Sequence, residues 1–460
     1  MIQNKRESAS FRDPSGFLFW REGVLYRQVN LSYQDDYALL MKSGLYQNLV
    51  DNSLLIPHEE MNAEPYESEK AYRVICPERI PFISYPYEWS FGQLKDAALT
   101  TLALQKHALA YEMSLKDSSA YNIQFWRGKP ILIDSLSFEK YEDGKPWVAY
   151  RQFCQHFLAP LALMSYRDVR LSQLLRTNID GIPLDLASEL LPLRTRLNFY
   201  LLTHIHLHAV AQKRYAGQKV DLASPRQEIN KNGILGILSS LESVIRQLNW
   251  NPEETVWADY DSTHNYSDAS LEHKKQIVTA YLERVRPKTV WDLGANTGVF
   301  SRLASKQMIH TVAFDIDPGA VELNYRQCVA DKEQNLLPLL LDLTNPSPNL
   351  GWHNQERRSL FKRDSPDMLL ALALVHHLAI ANNVSLEHIA RFMADLADWL
   401  VIEFVPKEDP QTQRLLSSRE DIFVDYTQKR FEEVFGTYFQ IADSMVINNS
   451  GRILYLMKRI

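Results

Sequence analysis

Thr289-Val290-Trp291-Asp292-Leu293-Gly294-Ala295-Asn296-Thr297-Gly298-Val299-Phe300-Ser301 is the stretch on which the fold turns. An apolar run leads into a loop with two glycines, and a helical pattern follows. Glycine lets the backbone approach a ligand closely, and a helix start offers free N–H groups. Strand, loop and helix in this order open the nucleotide-binding α/β folds. The spacing is Asp-x-Gly-x-x-x-Gly, not the phosphate-cradling Gly-x-Gly-x-x-Gly. An acid ahead of the loop repels a pyrophosphate and suits a ligand carrying an amino group and a sulfonium cation.

Outward from this stretch, beyond Pro287, strand-like and helical segments alternate. They run Thr289–Leu293, helix 298–307, Thr311–Asp315, helix 318–330, Leu336–Leu341, Met368–Val375, helix 385–398 and Trp399–Val405. The alternation predicts a parallel sheet covered on both faces by helices. The end differs. A helix at 427–436 precedes two strands, Phe439–Ile447 and Arg452–Lys458, around an Asn448-Asn449-Ser450-Gly451 turn, which reads as an antiparallel pair. Asp315 ends the second strand, where an acid can accept from both hydroxyls of a ribose. Asp342 ends the third, where a carboxylate can accept from an adenine amino group.

This set of residues resembles the class I S-adenosylmethionine-dependent methyltransferases over roughly residues 257–460. The resemblance implies an α/β fold with a Rossmann-like seven-stranded sheet and an antiparallel last strand. It implies S-adenosylmethionine as cofactor. Asp292, Gly294, Asn296 and Gly298 would form the methionine-side loop, Asp315 would hold the ribose and Asp342 would lie near adenine. On the residues alone, a dehydrogenase-type dinucleotide fold or a relic without ligand stays open.

Methyl transfer needs the acceptor and the methyl carbon in line, with a base where the acceptor carries a proton. His376 and His377 follow the Met368–Leu374 run, at the edge where ligands of open α/β sheets bind. Either is a candidate base or substrate contact; the bland reading is a loop-shaping pair. Glu403 lies inside Leu400–Val405, and a strand-buried acid either contacts substrate or pairs with an internal Arg or Lys. Upstream, Tyr260 and Tyr266 are candidates to cover a sulfonium, or to pack as a lid. His204, His206 and His208 have no accompanying Glu as in His-Glu-x-x-His. They are expected to be core or helix-face residues, and no metal site is expected.

The N-terminal half reads as α+β. Gly16–Trp20 and Val24–Val29 flank Arg21-Glu22-Gly23 as a hairpin. Residues 34–56 read as a helix, Arg73–Ile75 and Ile83–Tyr85 as strands, and Phe91 to about Leu115 as a long helix. Two short strands, Asn122–Trp126 and Ile131–Asp134, surround a turn. From Trp147 to about Ala216 the pattern is helical, with breaks near Pro160 and Asp180–Pro183. Asp117, Asn122 and Asp134 have the order of a base and two metal ligands in phosphoryl transfer. This text resembles the core of kinase-like phosphotransferases. It departs from them in Leu115-Lys116 ahead of the Asp, in the missing Gly-rich loop, and in Arg27 as the nearest early-strand cation. The plain alternative is turn and cap residues.

The expected organisation is an N-terminal domain over 1–216, a linker and lid over 217–286, and a cofactor domain over 287–460. The 460 residues carry a net charge of −6, without the global basic field of most nucleic-acid binders. The three cysteines, Cys76, Cys154 and Cys328, are far apart and give no disulfide framework, which points to a reducing, cytoplasmic setting. No apolar stretch is long enough to span a bilayer. The arrangement also resembles bacterial methyltransferases known as nodulation host-specificity proteins, through Val290–Gly298 and Ile402-Glu403-Phe404-Val405-Pro406. That resemblance implies a saccharide or other small-molecule substrate. The expected function is methylation of such a substrate, with the N-terminal domain as an accessory module. The alternatives are a bifunctional kinase-methyltransferase and a cofactor-binding module without chemistry.

Overall fold

The computed structural model describes residues 4–210, 228–252, 268–417 and 420–460. The chain divides into two compact units. One comprises Met1–Trp250 with Asn349–Arg358; the other comprises Asn251–Pro348 with Ser359–Ile460. The boundary therefore falls inside the expected 217–286 linker. Helix Lys231–Gln247 belongs to the first unit, against helix Phe91–Ala110, and helix Asp268–Val285 belongs to the second.

The first unit opens with five antiparallel strands, β1 (Lys5–Arg6), β2 (Gly16–Arg21), β3 (Val24–Asn30), β4 (His58–Met61) and β5 (Ala71–Pro77), in the order β1-β2-β3-β5-β4. The β2–β3 hairpin is as expected. Its turn places Glu22 and Gly23 at φ 53° and 79°, which matches the right-handed twist of the strands. The expected helix over 34–56 is two helices, Gln34–Lys42 and Leu45–Asp51, because Gly44 between them takes φ 86°. The long helix runs Phe91–Ala110 and starts on a reciprocal cap between Ser90 and Gln93. It stops short of Leu115. The chain turns at Glu112 (φ 58°) into β6 (Met113–Leu115). β7 (Ile123–Trp126) and β8 (Lys129–Leu132) form the second expected hairpin, and β9 (Phe138–Lys140) pairs with β6.

Two local expectations fail for identifiable reasons. Ile83–Tyr85 is not a strand. The buried Gln124 side chain takes the place of a neighbouring strand: its Oε1 accepts from the Ser84 N–H (2.8 Å) and its Nε2 donates to the Ser84 carbonyl (2.9 Å). Pro160 does not break its helix. A π turn at Cys154–Leu158 precedes it and the chain stays helical through Ala159–Tyr166, while the Gln155 carbonyl, five residues before the proline, accepts from the Ile182 N–H instead (2.9 Å).

The second unit holds β10 (Thr289–Leu293), β11 (His310–Asp315), β12 (Leu336–Leu340), β13 (Met368–Ala371), β14 (Trp399–Phe404), β15 (Phe439–Val446) and β16 (Ile453–Arg459). Among the described residues they form one seven-stranded sheet, β12-β11-β10-β13-β14-β16-β15. The five strands from β12 to β14 are parallel. The last strand, β16, inserts antiparallel between β14 and β15. This is the expected sheet. Central β13 and β14 are buried almost throughout, as strands covered on both faces must be. Pro338 is tolerated because β12 is an edge, and the opposite edge, β15, is largely exposed. Ile277, Val278, Tyr281 and Leu282 of helix Asp268–Val285 pack with Val290, Leu370, Val401 and Leu456 into one core.

Replacing Gln124 with Leu leaves the buried Ser84 N–H and C=O without partners. At roughly 1–3 kcal/mol for each, the first unit should lose about 2–6 kcal/mol, read as a lowered Tm of the full chain.

Candidate functional site

The chain moves from β10 through β11 to β12 on one side, then returns to β13 on the other side of β10. That reversal opens a crevice at the carboxyl ends of β10 and β13, where ligands of open α/β sheets bind. The Gly294–Gly298 loop leaves β10 there. Gly294, Asn296 and Gly298 take φ 75°, 49° and 83°, a backbone path that β-branched residues resist. A Cβ on Gly298 would lie 2.5 Å from the Asn324 amide, and one on Gly294 would lie 3.3 Å from Leu374 after β13.

The loop's N–H groups are already spent. Those of Gly294 and Ala295 both donate to the Phe314 carbonyl at 2.9 Å. The Asn296 N–H donates to Asp315 Oδ2 (2.7 Å), the Thr297 N–H to the Asn296 side chain (2.7 Å), and the Gly298 N–H to the Ala295 carbonyl (2.9 Å). Arg302 clamps the same loop through the Thr297 carbonyl (2.6 Å) while its Nε meets Glu333 (3.0 Å). No local pattern in the sequence marks Arg302, since its role depends on a loop that turns back over the helix.

Asp292 is buried beneath the loop, and its Oδ2 accepts from Ser301 Oγ (2.6 Å). Burial pushes its carboxyl up to about 6, against the pull of Ser301 and Lys274. Asp315, at the end of β11, is half-buried and also raised by burial. Its Oδ1 accepts from the Asp317 N–H (2.9 Å). Asp342 lies two residues past β12, half-buried, in a turn where it accepts from the Thr344 N–H (2.8 Å) and hydroxyl (2.6 Å). The three acids thus stand at the carboxyl ends of three adjacent strands.

On the other side of the crevice β13 ends at Ala371, earlier than expected. The chain turns through Ala373 (φ 51°) into a π turn at His377–Ala381. His376 is fully buried and neither ring nitrogen has a hydrogen-bond partner. Burial, with His377, Arg452 and Lys274 nearby, holds its pKa well below the usual histidine range. His377 is half-buried and its pKa is lowered by burial. Both imidazoles are neutral near pH 7. Tyr260 and Tyr266 lie outside the described residues.

Glu403 is fully buried in β14. Its carboxylate meets Lys274 Nζ at 2.7 Å and Arg452 Nη1 at 3.4 Å, and Arg452 holds Asp409 in a two-pronged pair (2.7 and 3.0 Å). Of the two readings of Glu403, this places it with internal cations. Lys274 comes from helix Asp268–Val285 and Arg452 from the foot of β16, so neither was near it in sequence.

In the first unit Asp117, Asn122 and Asp134 converge. Asp117 Oδ1 accepts from the Ser119 N–H (2.9 Å) and Gln152 (2.8 Å), and its carboxyl is raised by burial and by the charge of Asp134. Asp134 Oδ1 accepts from the Leu136 N–H (2.9 Å) and meets the buried Arg27 at 2.6 Å, so both bonds fall on one oxygen. Lys116 donates to Ser15 Oγ (2.8 Å). His204 and His206 are core residues whose ring nitrogens are taken by Tyr150 and Ser240, and by Ser188 and Thr195.

Over 463 aligned positions the chain is 36% identical to the nodulation protein NoeA of Rhizobium meliloti (strain 1021), spanning 99% of this chain and 96% of that protein. The chain belongs to the NoeA family. No family model matches the sequence. Among solved structures, this NoeA relative is similar to the magnesium protoporphyrin IX methyltransferase of Synechocystis PCC 6803 with bound SAH (18% identity, 41% of this chain and 84% of that one, TM-score 0.31). It is also similar to WbdD (19%, 44% of this chain and 43% of that one, TM-score 0.29) and to the N-methyltransferase NodS of Bradyrhizobium japonicum WM9 (8%, 42% and 98%, TM-score 0.30).

Lys274→Met leaves Glu403 buried with one weaker partner and should destabilise the protein by about 3–5 kcal/mol. Adding Glu403→Leu should restore much of that loss, because Arg452 keeps Asp409. Urea unfolding of the single and double variants measures the coupling.

Proposed function

We propose that the C-terminal unit binds S-adenosylmethionine and transfers its methyl group to a small-molecule or saccharide acceptor. The observation that carries this is the loop over Asp292. A dinucleotide site offers free N–H groups to a pyrophosphate. Here all five N–H groups from Gly294 to Gly298 are bonded within the protein, and acids stand at three strand ends. Such a crevice rejects an anion and favours a cation flanked by hydroxyl and amino donors.

When bound, the cofactor supplies an electrophilic methyl group on a sulfonium. Asp315 accepts from ribose hydroxyls and Asp342 from the adenine amino group, while the carboxylate of Asp292 supplies negative potential beneath the loop. His377, neutral and half-buried across the crevice, is placed to take a proton from the acceptor. His376, fully enclosed, positions it. Lys274, Glu403, Arg452 and Asp409 brace β14 and β16 on the acceptor side.

Calorimetric titration of the full chain with S-adenosylmethionine should show one site, and Gly298→Ala should weaken it at least about tenfold through the Asn324 clash and the left-handed backbone. The pH dependence has a fixed sign. The carboxyl raised to about 6 is charged above that pH, so affinity is flat there. Below it, protonation removes the charge and affinity falls by up to about tenfold per pH unit. Asp292→Asn should remove this part of the acid-side fall. An absence of binding by the parent protein would refute the proposal.

A second reading concerns the first unit, and the convergence of Asp117, Asn122 and Asp134 beside Arg27 favours it. Asp117, made more basic by burial, is suited to accept a hydroxyl proton. The Oδ2 of Asp134, unbonded among the described residues, and the side-chain oxygen of Asn122 are hard donors of the type that Mg²⁺ takes, and Arg27 can neutralise phosphate charge. In this reading the unit phosphorylates the substrate that the other unit methylates. Titration with Mg²⁺ and ATP should raise the Tm of the full chain, and Asp134→Ala should abolish the rise. An unchanged Tm with the parent chain refutes phosphoryl transfer and leaves an accessory role.

A further inference from the structure

We propose that the N-terminal unit docks on an anionic lipid surface through the turn Leu193–Leu197 and the adjoining Phe199. Leu193, Leu197 and Phe199 are 75%, 89% and 71% exposed, in a chain whose other large apolar side chains mostly lie inside. The exposure is built in. Thr195, at the middle of the turn, is fully buried, with its hydroxyl on the Pro192 carbonyl (2.6 Å) and on His206 Nε2 (2.9 Å). His206 is held in turn by Ser188. This chain of bonds anchors the turn by its centre and directs the residues on either side of Thr195 outward.

The residues between the apolar ones decide the occupant. Arg194 and Arg196 are exposed, and neither makes an ion pair among the described residues. The Arg194 guanidinium lies over the Tyr166 ring, 5.7 Å from its centroid. Apolar tips with arginines interleaved at the same level match a bilayer interface: the tips enter the acyl boundary while the guanidinium groups stay with anionic headgroups. Side chains that stand this free of their neighbours form a protrusion. A deformable bilayer accepts a protrusion, whereas a protein partner would need a preformed pocket for it. The net charge of −6 makes the whole molecule a poor binder of anionic surfaces, so attraction must be local and sensitive to salt.

Co-sedimentation of the full chain with phosphatidylcholine–phosphatidylglycerol vesicles, against vesicles of phosphatidylcholine alone, tests this. Binding should require phosphatidylglycerol and weaken as salt rises. Leu193→Ser/Leu197→Ser/Phe199→Ser should abolish it. Arg194→Gln/Arg196→Gln, which leaves the apolar turn intact, should weaken it by about thirtyfold at low salt, from roughly fivefold per cation near the surface. Cofactor titration of each variant checks that the chain remains folded. Absent binding, or equal binding to both vesicle types, overturns the proposal. So does concentration-dependent self-association of the parent chain that the triple substitution removes, which would make the turn a contact between copies.

Discussion

The bond from the Asn296 N–H to the Asp315 carboxylate ties the first strand's loop to the second strand's end, and the C-terminal site depends on it. With the paired bonds of Gly294 and Ala295 to the Phe314 carbonyl, it folds the loop down onto β11. A loop held this way has no N–H groups to offer a phosphate. The Asp315 carboxylate stands beside it at the end of β11 and the Asp292 carboxyl lies buried beneath it. One set of backbone bonds therefore does two things: it fixes the left-handed path that Gly294 and Gly298 allow, and it uses up the N–H groups of the loop.

The same logic of saturated partners runs through the acceptor side. Glu403 in a central strand is tolerable only because Lys274 and Arg452 reach it, and Arg452 is tolerable so close to Lys274 only because Asp409 shares its charge. The network joins helix Asp268–Val285, β14, the loop after it and the foot of β16. It thereby locks the antiparallel last strand against the parallel part of the sheet at the edge where chemistry would occur. Lys274 loses basicity to burial yet stays paired, so its cation holds the network together and is not spare for substrate.

How much of this was legible depended on the range of each interaction. The β10 strand, the alternation of strands and helices after it and the final antiparallel pair follow local period and spacing and are present in the sheet, although β13 stops at Ala371 and β12 at Leu340. Local pattern does not decide the structure where a distant partner takes over. Ile83–Tyr85 has strand-like residues, but the Gln124 side chain, forty positions away, satisfies the Ser84 backbone in place of a neighbouring strand. Pro160 has the look of a helix stop, but a π turn before it absorbs the missing N–H. Arg302, Lys274, Arg452 and Asp409 carried no motif at all. Glu403 alone hinted at two of them, because a buried strand acid demands a cation from somewhere.

The two histidines after β13 show what burial does to a candidate base. A base must be neutral at the working pH and must reach the proton it takes. His376 and His377 both meet the first condition, because burial and nearby cations disfavour their charged forms. They part on the second. His376 is sealed with both ring nitrogens unbonded, so it cannot pass a proton to solvent and cannot meet an acceptor directly. His377, its ring centroid 4.2 Å away, keeps part of its surface open. The enclosed ring of His376 therefore backs the partly open ring of His377, and the neighbouring Arg452 disfavours the charged form of both.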